Sequence, residues 1–109
     1  MPFTGRESHD ITKAEAAILT RNHRQAHGAD PSARKALFFG KDALMKVLSQ
    51  PDCVGIRCYF GRDTAGKMQL VLVGANAGEC DMLDNNLLIE QGLPCPPFCD
   101  TSSSVLNGG

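Results

Sequence analysis

The sequence predicts an α+β fold in which two N-terminal helices precede an antiparallel β-hairpin. In the first half, apolar residues recur at helical spacing between capping signals. In the second half, two apolar runs flank the turn-rich stretch Gly-Arg-Asp-Thr-Ala-Gly. With 109 residues, 42% hydrophobic and 21% charged, the chain has the size and composition of one ordinary domain. We expect a flexible lead-in over 1–10, a single domain over 11–99 and a flexible tail over 100–109.

The first helix is predicted over residues 12–27. Thr12 and Glu15 have the spacing of a capping box, in which hydroxyl and carboxylate accept hydrogen bonds from free amides at the helix start. Gly28 predicts the end, because glycine adopts the left-handed conformation of a helix stop without a steric penalty.

The second helix is predicted over residues 41–49, with its apolar side chains on one face and Pro51 closing it. Before this helix, Asp30-Pro31 predicts a short turn or helix. Phe38 and Phe39 are too apolar to be left in water, so we expect them to pack at the entrance to the core.

The hairpin is predicted from a strand with one apolar and one mixed face, followed by a more apolar strand over 68–73. Cys58 lies on the apolar face, which predicts a small core residue. Because a lone hairpin is marginal in water, the sheet needs a short third element or a partner chain. Residues 87–89 could supply a strand or a helical turn. The alternating residues of the first strand are Val54, Ile56, Cys58 and Phe60 against Gly55, Arg57 and Tyr59.

Charge and cysteine content exclude several classes of protein. Net charge is −1, with +3 over residues 1–50 and −4 over 51–109, so a dedicated nucleic-acid binder is not expected. No apolar run approaches the roughly 18 residues of a membrane span, and the N-terminus lacks a secretory pattern. Five cysteines, an odd number, predict a reducing compartment, hence a cytoplasmic protein without membrane contact. The candidate basic patch lacks interleaved aromatic residues and comprises Arg21, Arg24, Arg34 and Lys35.

The segment Cys95-Pro96-Pro97-Phe98-Cys99 is the first candidate site. Its prolines favour an extended polyproline path, which would place the two cysteines about 12 Å apart. A disulfide needs Cα atoms within about 7 Å, so we expect an extended strap that packs Cys95 and Phe98 on a common side. A turn beginning at Pro97 would allow a disulfide, and metal binding is a further alternative.

His23 and His27 are the second candidate site. Four residues apart on a helix, they share a face and could bind one metal ion, with Cys95 and Cys99 completing a zinc site. Histidines near a helix C-terminus are also stabilised by the helix dipole. We therefore expect surface or capping roles, and no cofactor.

Several stretches of this sequence form a pattern that resembles other proteins. They are the stretch from Phe-Phe-Gly-Lys to Gly-Glu-Cys-Asp and the terminal Cys-Pro-Pro-Phe-Cys. Together with Gln-Pro-Asp-Cys, Gly-Ile-Arg and Leu-Val-Leu-Val-Gly, they resemble a set of small bacterial proteins of Bacteroidetes-type genomes. The resemblance covers most of residues 11–107 and implies no particular activity. It implies that a shared role lies among Cys53, the hairpin and Cys95–Cys99; the histidine pair is not part of the pattern.

No catalytic or nucleotide-binding signature is complete in this sequence, so an enzyme is the third expectation. The first is a non-enzymatic interaction or ligand-binding module, acting as a homodimer through the hairpin edge and the proline-rich segment. The alternative is a thiol-based redox sensor or metal-binding protein that uses Cys53, Cys95 and Cys99. The candidate binding residues are Cys53, Cys95, Pro96, Pro97, Phe98 and Cys99.

Overall fold

The computed structural model describes residues 2–28, 30, 32–84, 87–102 and 104–107. Over these residues it contains two helices, a three-stranded antiparallel sheet and a two-stranded one, so the α+β class is confirmed. Residues 1–8 and 39–92 form a first compact unit, and residues 9–38 and 93–109 form a second. The predicted division at 10/11 and 99/100 stays a prediction. The elements are α1 Lys13–Ala26, β1 Ala36–Phe38, α2 Lys41–Leu48, β2 Cys53–Arg62, β3 Met68–Asn76, β4 Leu88–Ile89 and β5 Leu93–Cys95.

The sheet of the first unit has the strand order β2-β3-β4. In the loop between β2 and β3, one carboxylate oxygen of Asp63 accepts hydrogen bonds from the amides of Ala65 and Lys67, both at 2.9 Å. Residues 88–89 take the strand alternative, pairing with Leu72 and Val73 of β3. A β-bulge at Val54 interrupts the ladder, because Cys53 pairs with Asn76 and Gly55 pairs with the adjacent Ala75.

Helix α2 packs against the sheet face that carries Gly74. A side chain there would collide with its neighbours, since a Cβ atom would lie 2.9 Å from Gln50 Nε2, 3.0 Å from Cys53 Sγ and 3.3 Å from Val47 Cγ1. Glycine thus lets helix and strand approach closely. Strand β3 is more buried than β2, as predicted. The buried apolar residues of the first unit are Val47, Leu72, Val73 and Ala75.

The far end of β2 departs from the expected core. Cys58, Tyr59 and Phe60 are all exposed, Phe60 to 84%, so the expectation that Cys58 is a core residue is wrong. The lengths explain the error. A helix of eight residues is about 12 Å long, whereas a ten-residue strand spans about 33 Å, so α2 covers only part of β2.

The N-terminal segment makes specific contacts within the first unit. The Phe3 amide donates a hydrogen bond to the Ala77 carbonyl oxygen at 3.1 Å. The Glu7 carboxylate accepts hydrogen bonds from the amides of Thr4 and Gly5, and bonds of this kind lower the pKa of Glu7. A turn therefore folds residues 4–7, while flexibility of the lead-in stays a prediction.

Helix α1 of the second unit begins and ends close to the predicted residues. Thr12 is the N-cap, its hydroxyl accepting from the Glu15 amide at 3.0 Å and its amide donating to the Glu15 carboxylate at 3.2 Å. Hydrogen bonds from the side chain and backbone of Thr12 lower the pKa of Glu15. Gly28 follows the last turn with φ +65°, as expected for a helix stop. No residue of α1 is buried.

The two-stranded sheet of the second unit was not predicted. Strands β1 and β5 pair antiparallel, with Ala36 opposite Cys95 and Phe38 opposite Leu93. Phe38 is 61% exposed, so the expectation that it packs at the core entrance is wrong, whereas Phe39 is half-buried. Phe38 ends β1 in the second unit, whereas Phe39 lies outside the strand and belongs to the first unit, so the two rings have different surroundings.

In the part of the chain that the structure describes, neither helix has the length and apolar character needed to cross a membrane.

Candidate functional site

The proline-rich segment is a closed turn. Cys95 and Cys99 form a disulfide, with Cα atoms 4.7 Å apart. The amide of Phe98 donates to the Pro94 carbonyl oxygen, and that of Cys99 to the Pro97 carbonyl oxygen, both at 2.9 Å. The predicted extended strap is therefore wrong. The expectation gave this segment an extended polyproline path, whereas these two hydrogen bonds close a turn that brings the cysteines together. The Cys95-Pro96 and Pro96-Pro97 peptide bonds are cis.

The turn joins a buried end to an exposed end. Cys95 is buried, and its carbonyl oxygen accepts a hydrogen bond from the Lys35 amide at 2.6 Å next to the β1–β5 ladder. Cys99 is half-buried, and Phe98 is 62% exposed. A thiol from solvent would therefore reach the disulfide more easily from the Cys99 side.

Cys53 lies in the first unit and the disulfide in the second. Cys53 is a half-buried free thiol, whose Sγ donates to the Gly55 carbonyl oxygen at 3.2 Å and lies beside Gly74. Cys58 and Cys80 are also free thiols, and both are exposed. The structure thus pairs two of the three cysteines named as candidate site residues.

The two histidines lie side by side at the end of α1. Their ring centroids are 4.4 Å apart in an edge-to-face arrangement, and His23 Nε2 lies 3.0 Å from the Arg34 carbonyl oxygen, to which it donates. His27 is the C-cap residue of the helix. Among the described residues, no group of three or more His, Cys, Asp or Glu side chains could hold a metal ion. Zinc binds thiolates, and Cys95 and Cys99 have none while they are bridged.

A polar cluster that sequence reasoning missed lies on the opposite face of β2 from α2. Arg57 Nη1 contacts the Asp81 carboxylate at 2.6 Å and donates to the Glu79 carbonyl oxygen at 3.2 Å. The Tyr59 hydroxyl donates to the other Asp81 oxygen. The Arg57 guanidinium also lies 5.5 Å from the centre of the Phe3 ring, within cation–π range.

The electrostatics of this cluster favour a structural role. The hydrogen bond from Tyr59 and the interaction with Arg57 lower the pKa of Asp81, so the carboxylate is a poor proton acceptor. The same hydrogen bond raises the pKa of Tyr59. The alternation along β2 predicted that Arg57 and Tyr59 share a face. The position of Asp81 could not be predicted, because Asp81 follows a loop and its backbone pairs with Ala75 through an isolated bridge.

Strand β2, with ten residues, forms one edge of the three-stranded sheet. Within the described ranges, β2 has a strand neighbour on one side only, β3. Over Cys58–Phe60 the side chains on both faces are exposed, with Tyr59 at 46%. Near its start β2 is in contact with other groups, since a Cβ atom on Gly5 would lie 2.8 Å from the Val54 carbonyl oxygen and the Gly55 carbonyl oxygen accepts from the Cys53 thiol. Over Cys58–Phe60, an edge position in the described sheet coincides with exposed side chains.

Comparison with family models, with curated proteins and with solved structures gives no match. The resemblance to small bacterial proteins therefore stays a prediction, and function has to be argued from the geometry above.

Proposed function

We propose that this protein is a non-enzymatic interaction module that forms a homodimer through the outer edge of β2. The edge of β2 over Cys58–Phe60, where side chains on both faces are exposed, carries the proposal. An unpaired strand edge is a template for a second strand, which adds main-chain hydrogen bonds and places side chains in register. A second copy pairing antiparallel along this edge would continue the sheet with twofold symmetry.

Charge is compatible with this contact. Arg57, near the middle of β2, is paired with Asp81 on the same chain, so it adds no net repulsion between two copies. Phe60 and Tyr59 supply the apolar area.

The balance of energies sets the expected affinity. Burying the exposed parts of Phe60 (84%) and Tyr59 (46%) in both copies would stabilise the dimer by at most about 4–8 kcal/mol, since a fully exposed side chain contributes roughly 1.5–3 kcal/mol. Association costs an estimated 4–15 kcal/mol in lost freedom of motion. The main-chain ladder then decides the sign, so the test covers concentrations from micromolar to millimolar, where a weak dimer would form.

The test is a sedimentation-velocity series that spans this concentration range, with Phe60→Glu as the disrupting variant. A charged side chain in place of the most exposed apolar one of the contact should shift the protein to monomer and weaken association at least tenfold. Phe98→Glu is the matched control, because Phe98 is also exposed but lies in the second unit. A wild-type protein that stays monomeric at high concentration contradicts the proposal, as does equal weakening by both variants.

A second candidate function is a reversible thiol–disulfide device at Cys95–Cys99. The sequence predicts a reducing compartment, where disulfides of mesophilic proteins are mostly transient and catalytic or redox-sensing. Two external thiols would reduce the bridge, giving two cysteine thiols and one external disulfide, through a mixed disulfide formed on Cys99. The half-buried Cys99 and buried Cys95 favour this order of attack.

Intact-mass measurement after thiol alkylation tests this second function. In glutathione buffers of increasing reducing strength, two additional alkyl groups should appear together, and the oxidised protein should be lighter by two hydrogen atoms. Cys99→Ser should abolish this paired change, while Cys80→Ser should keep it. A pair that stays bridged in every glutathione buffer, or is never bridged, would overturn the redox function.

A further inference from the structure

We propose that the second unit binds a phosphate group in a cleft between the last turn of α1 and the segment that leads into β1. The cleft has a volume of about 240 Å³. The hydrogen bond from His23 to the Arg34 carbonyl oxygen ties its two walls together. The residues that line it are His23, Arg24, His27, Gly28, Asp30, Ala33, Arg34 and Lys35.

The formal charge of the described side chains that line the cleft is positive. Arg24, Arg34 and Lys35 contribute three positive charges, and Asp30 one negative charge. The C-terminal end of α1 adds about half a negative charge. About +1.5 remains with both histidines neutral. The Asp30 carboxylate already accepts hydrogen bonds from the amide and hydroxyl of Ser32, at 2.9 and 2.7 Å, and so serves its local turn.

Two cationic side chains of the cleft already donate hydrogen bonds to carbonyl oxygens of the tail. Arg24 Nη1 donates to the Leu106 carbonyl oxygen at 2.7 Å, and Lys35 Nζ donates to the Asn107 carbonyl oxygen at 3.1 Å. The two acceptors belong to consecutive residues, so both cationic side chains bond the same short stretch of backbone. Both acceptors are neutral carbonyl oxygens, whereas a phosphate oxygen carries negative charge and adds Coulomb attraction to these cationic donors.

The donors are sufficient for such a ligand. A guanidinium has five N–H donors and an ammonium three, so Arg24 and Lys35 each keep further donors beyond those given to the tail carbonyls. A phosphate group can therefore add to these side chains or replace the carbonyl oxygens of residues 106–107.

The size of the cleft limits the ligand class. Sites for drug-sized molecules usually enclose about 300–1,000 Å³, and this cleft is smaller. It suits inorganic phosphate or the phosphate of a small monoester better than a nucleotide. None of the described residues that line it is Phe, Tyr or Trp, so these residues offer no such ring on which a base could stack.

The experiment is a titration of the ¹⁵N-labelled full chain, followed by amide chemical shifts at constant ionic strength. The probes are inorganic phosphate and glycerol phosphate, with chloride as the reference anion. We expect saturable shifts at the cleft residues and at Leu106 and Asn107. Tighter binding of glycerol phosphate would identify a phosphorylated small molecule as the source, and equal or weaker binding would identify free phosphate.

Variants separate a site from general attraction. Arg24→Gln and Lys35→Gln should each weaken phosphate binding at least tenfold, while Lys35→Arg, which keeps the charge and the donors, should retain it. Arg21→Gln is the matched control, since it removes one charge from α1 outside the cleft residues. Absence of saturable shifts in the wild type overturns the proposal, as does equal weakening in Arg21→Gln.

Discussion

The two units of this protein are stabilised in different ways. In the first unit, α2 and β3 bury Val47, Leu72, Val73 and Ala75. In the described part of the second unit, Cys95 is the one buried apolar residue, and the fourteen residues of α1 include none. Specific links take the place of a core there: a capping box, a disulfide, and hydrogen bonds from side chains to carbonyl oxygens of the tail. A substitution should therefore act through lost burial in the first unit and through a lost link in the second.

The largest expected effect is Val47→Ala. Val47 is fully buried, so removing two methyl groups should lower the free energy of unfolding of the first unit by about 3 kcal/mol, through lost transfer energy and a residual cavity. Native-state hydrogen exchange at the amides of β3 measures this change. Ile18→Ala on α1 is the control, because Ile18 is 47% exposed and should change stability by less than about 0.5 kcal/mol. Similar losses in both variants would remove the contrast between the units.

The next effect is removal of the disulfide with the double variant Cys95→Ser/Cys99→Ser. Chain-entropy estimates for a loop this short give about 2 kcal/mol, which should appear as faster hydrogen exchange in β1 and β5. The double variant Cys58→Ser/Cys80→Ser changes two exposed free cysteines and should leave these amides unaffected. Unchanged exchange in both double variants would mean that the bridge does not stabilise the second unit.

Loss of the helix cap should have a smaller effect. Thr12→Ala removes the hydroxyl that accepts from the Glu15 amide, which typically costs about 1 kcal/mol. Thr20→Ala is a matched control, because the Thr20 hydroxyl bonds the carbonyl oxygens of Ala16 and Ala17 inside the helix, where alanine is the better helix former. Circular dichroism of thermal unfolding should show a loss for the first variant and no loss for the second. Equal losses would assign the effect to helix propensity rather than to the cap.

The smallest effect is the pH dependence of the Arg57–Tyr59–Asp81 cluster. The pKa of Asp81 is lower in the folded protein than the ordinary value of about 3.9, so the folded state favours the charged form. This contribution is fully present above about pH 4 and is lost as the pH falls through the lowered pKa. Denaturant unfolding between pH 6 and 2 should show a shallower acid loss for Asp81→Asn than for the wild type. Parallel curves would exclude this carboxylate as a source of acid sensitivity.

The same contrast explains which elements the sequence could predict. Both helices were predicted because their starts and stops are local: Thr12 and Glu15 begin one, Gly28 ends it and Pro51 follows the other. The strands of the first unit follow from alternation. Strands β1 and β5 lie far apart in the sequence and have three residues each, so neither contains enough alternation to indicate a pairing.

The candidate sites show a similar limit. The spacing of His23 and His27 correctly indicated that the two rings are neighbours. The extended strap was the wrong expectation, because it followed from the polyproline preference of proline alone, whereas hydrogen bonds at Phe98 and Cys99 close a turn. The contacts of Arg24 and Lys35 with the tail join distant residues, and no local pattern encodes them.

The β-bulge at Val54 has a consequence for insertions and deletions in this strand. Because Cys53 already pairs with Asn76 and Gly55 with Ala75, deleting Val54 would yield a regular ladder with the same partners. A deletion between Ile56 and Arg62 would instead move every earlier side chain to the opposite face and turn Cys53 away from Val47. Val54 is thus the position of β2 whose deletion should leave the strand register intact. We expect tolerated changes of length in this strand to be confined to the bulge.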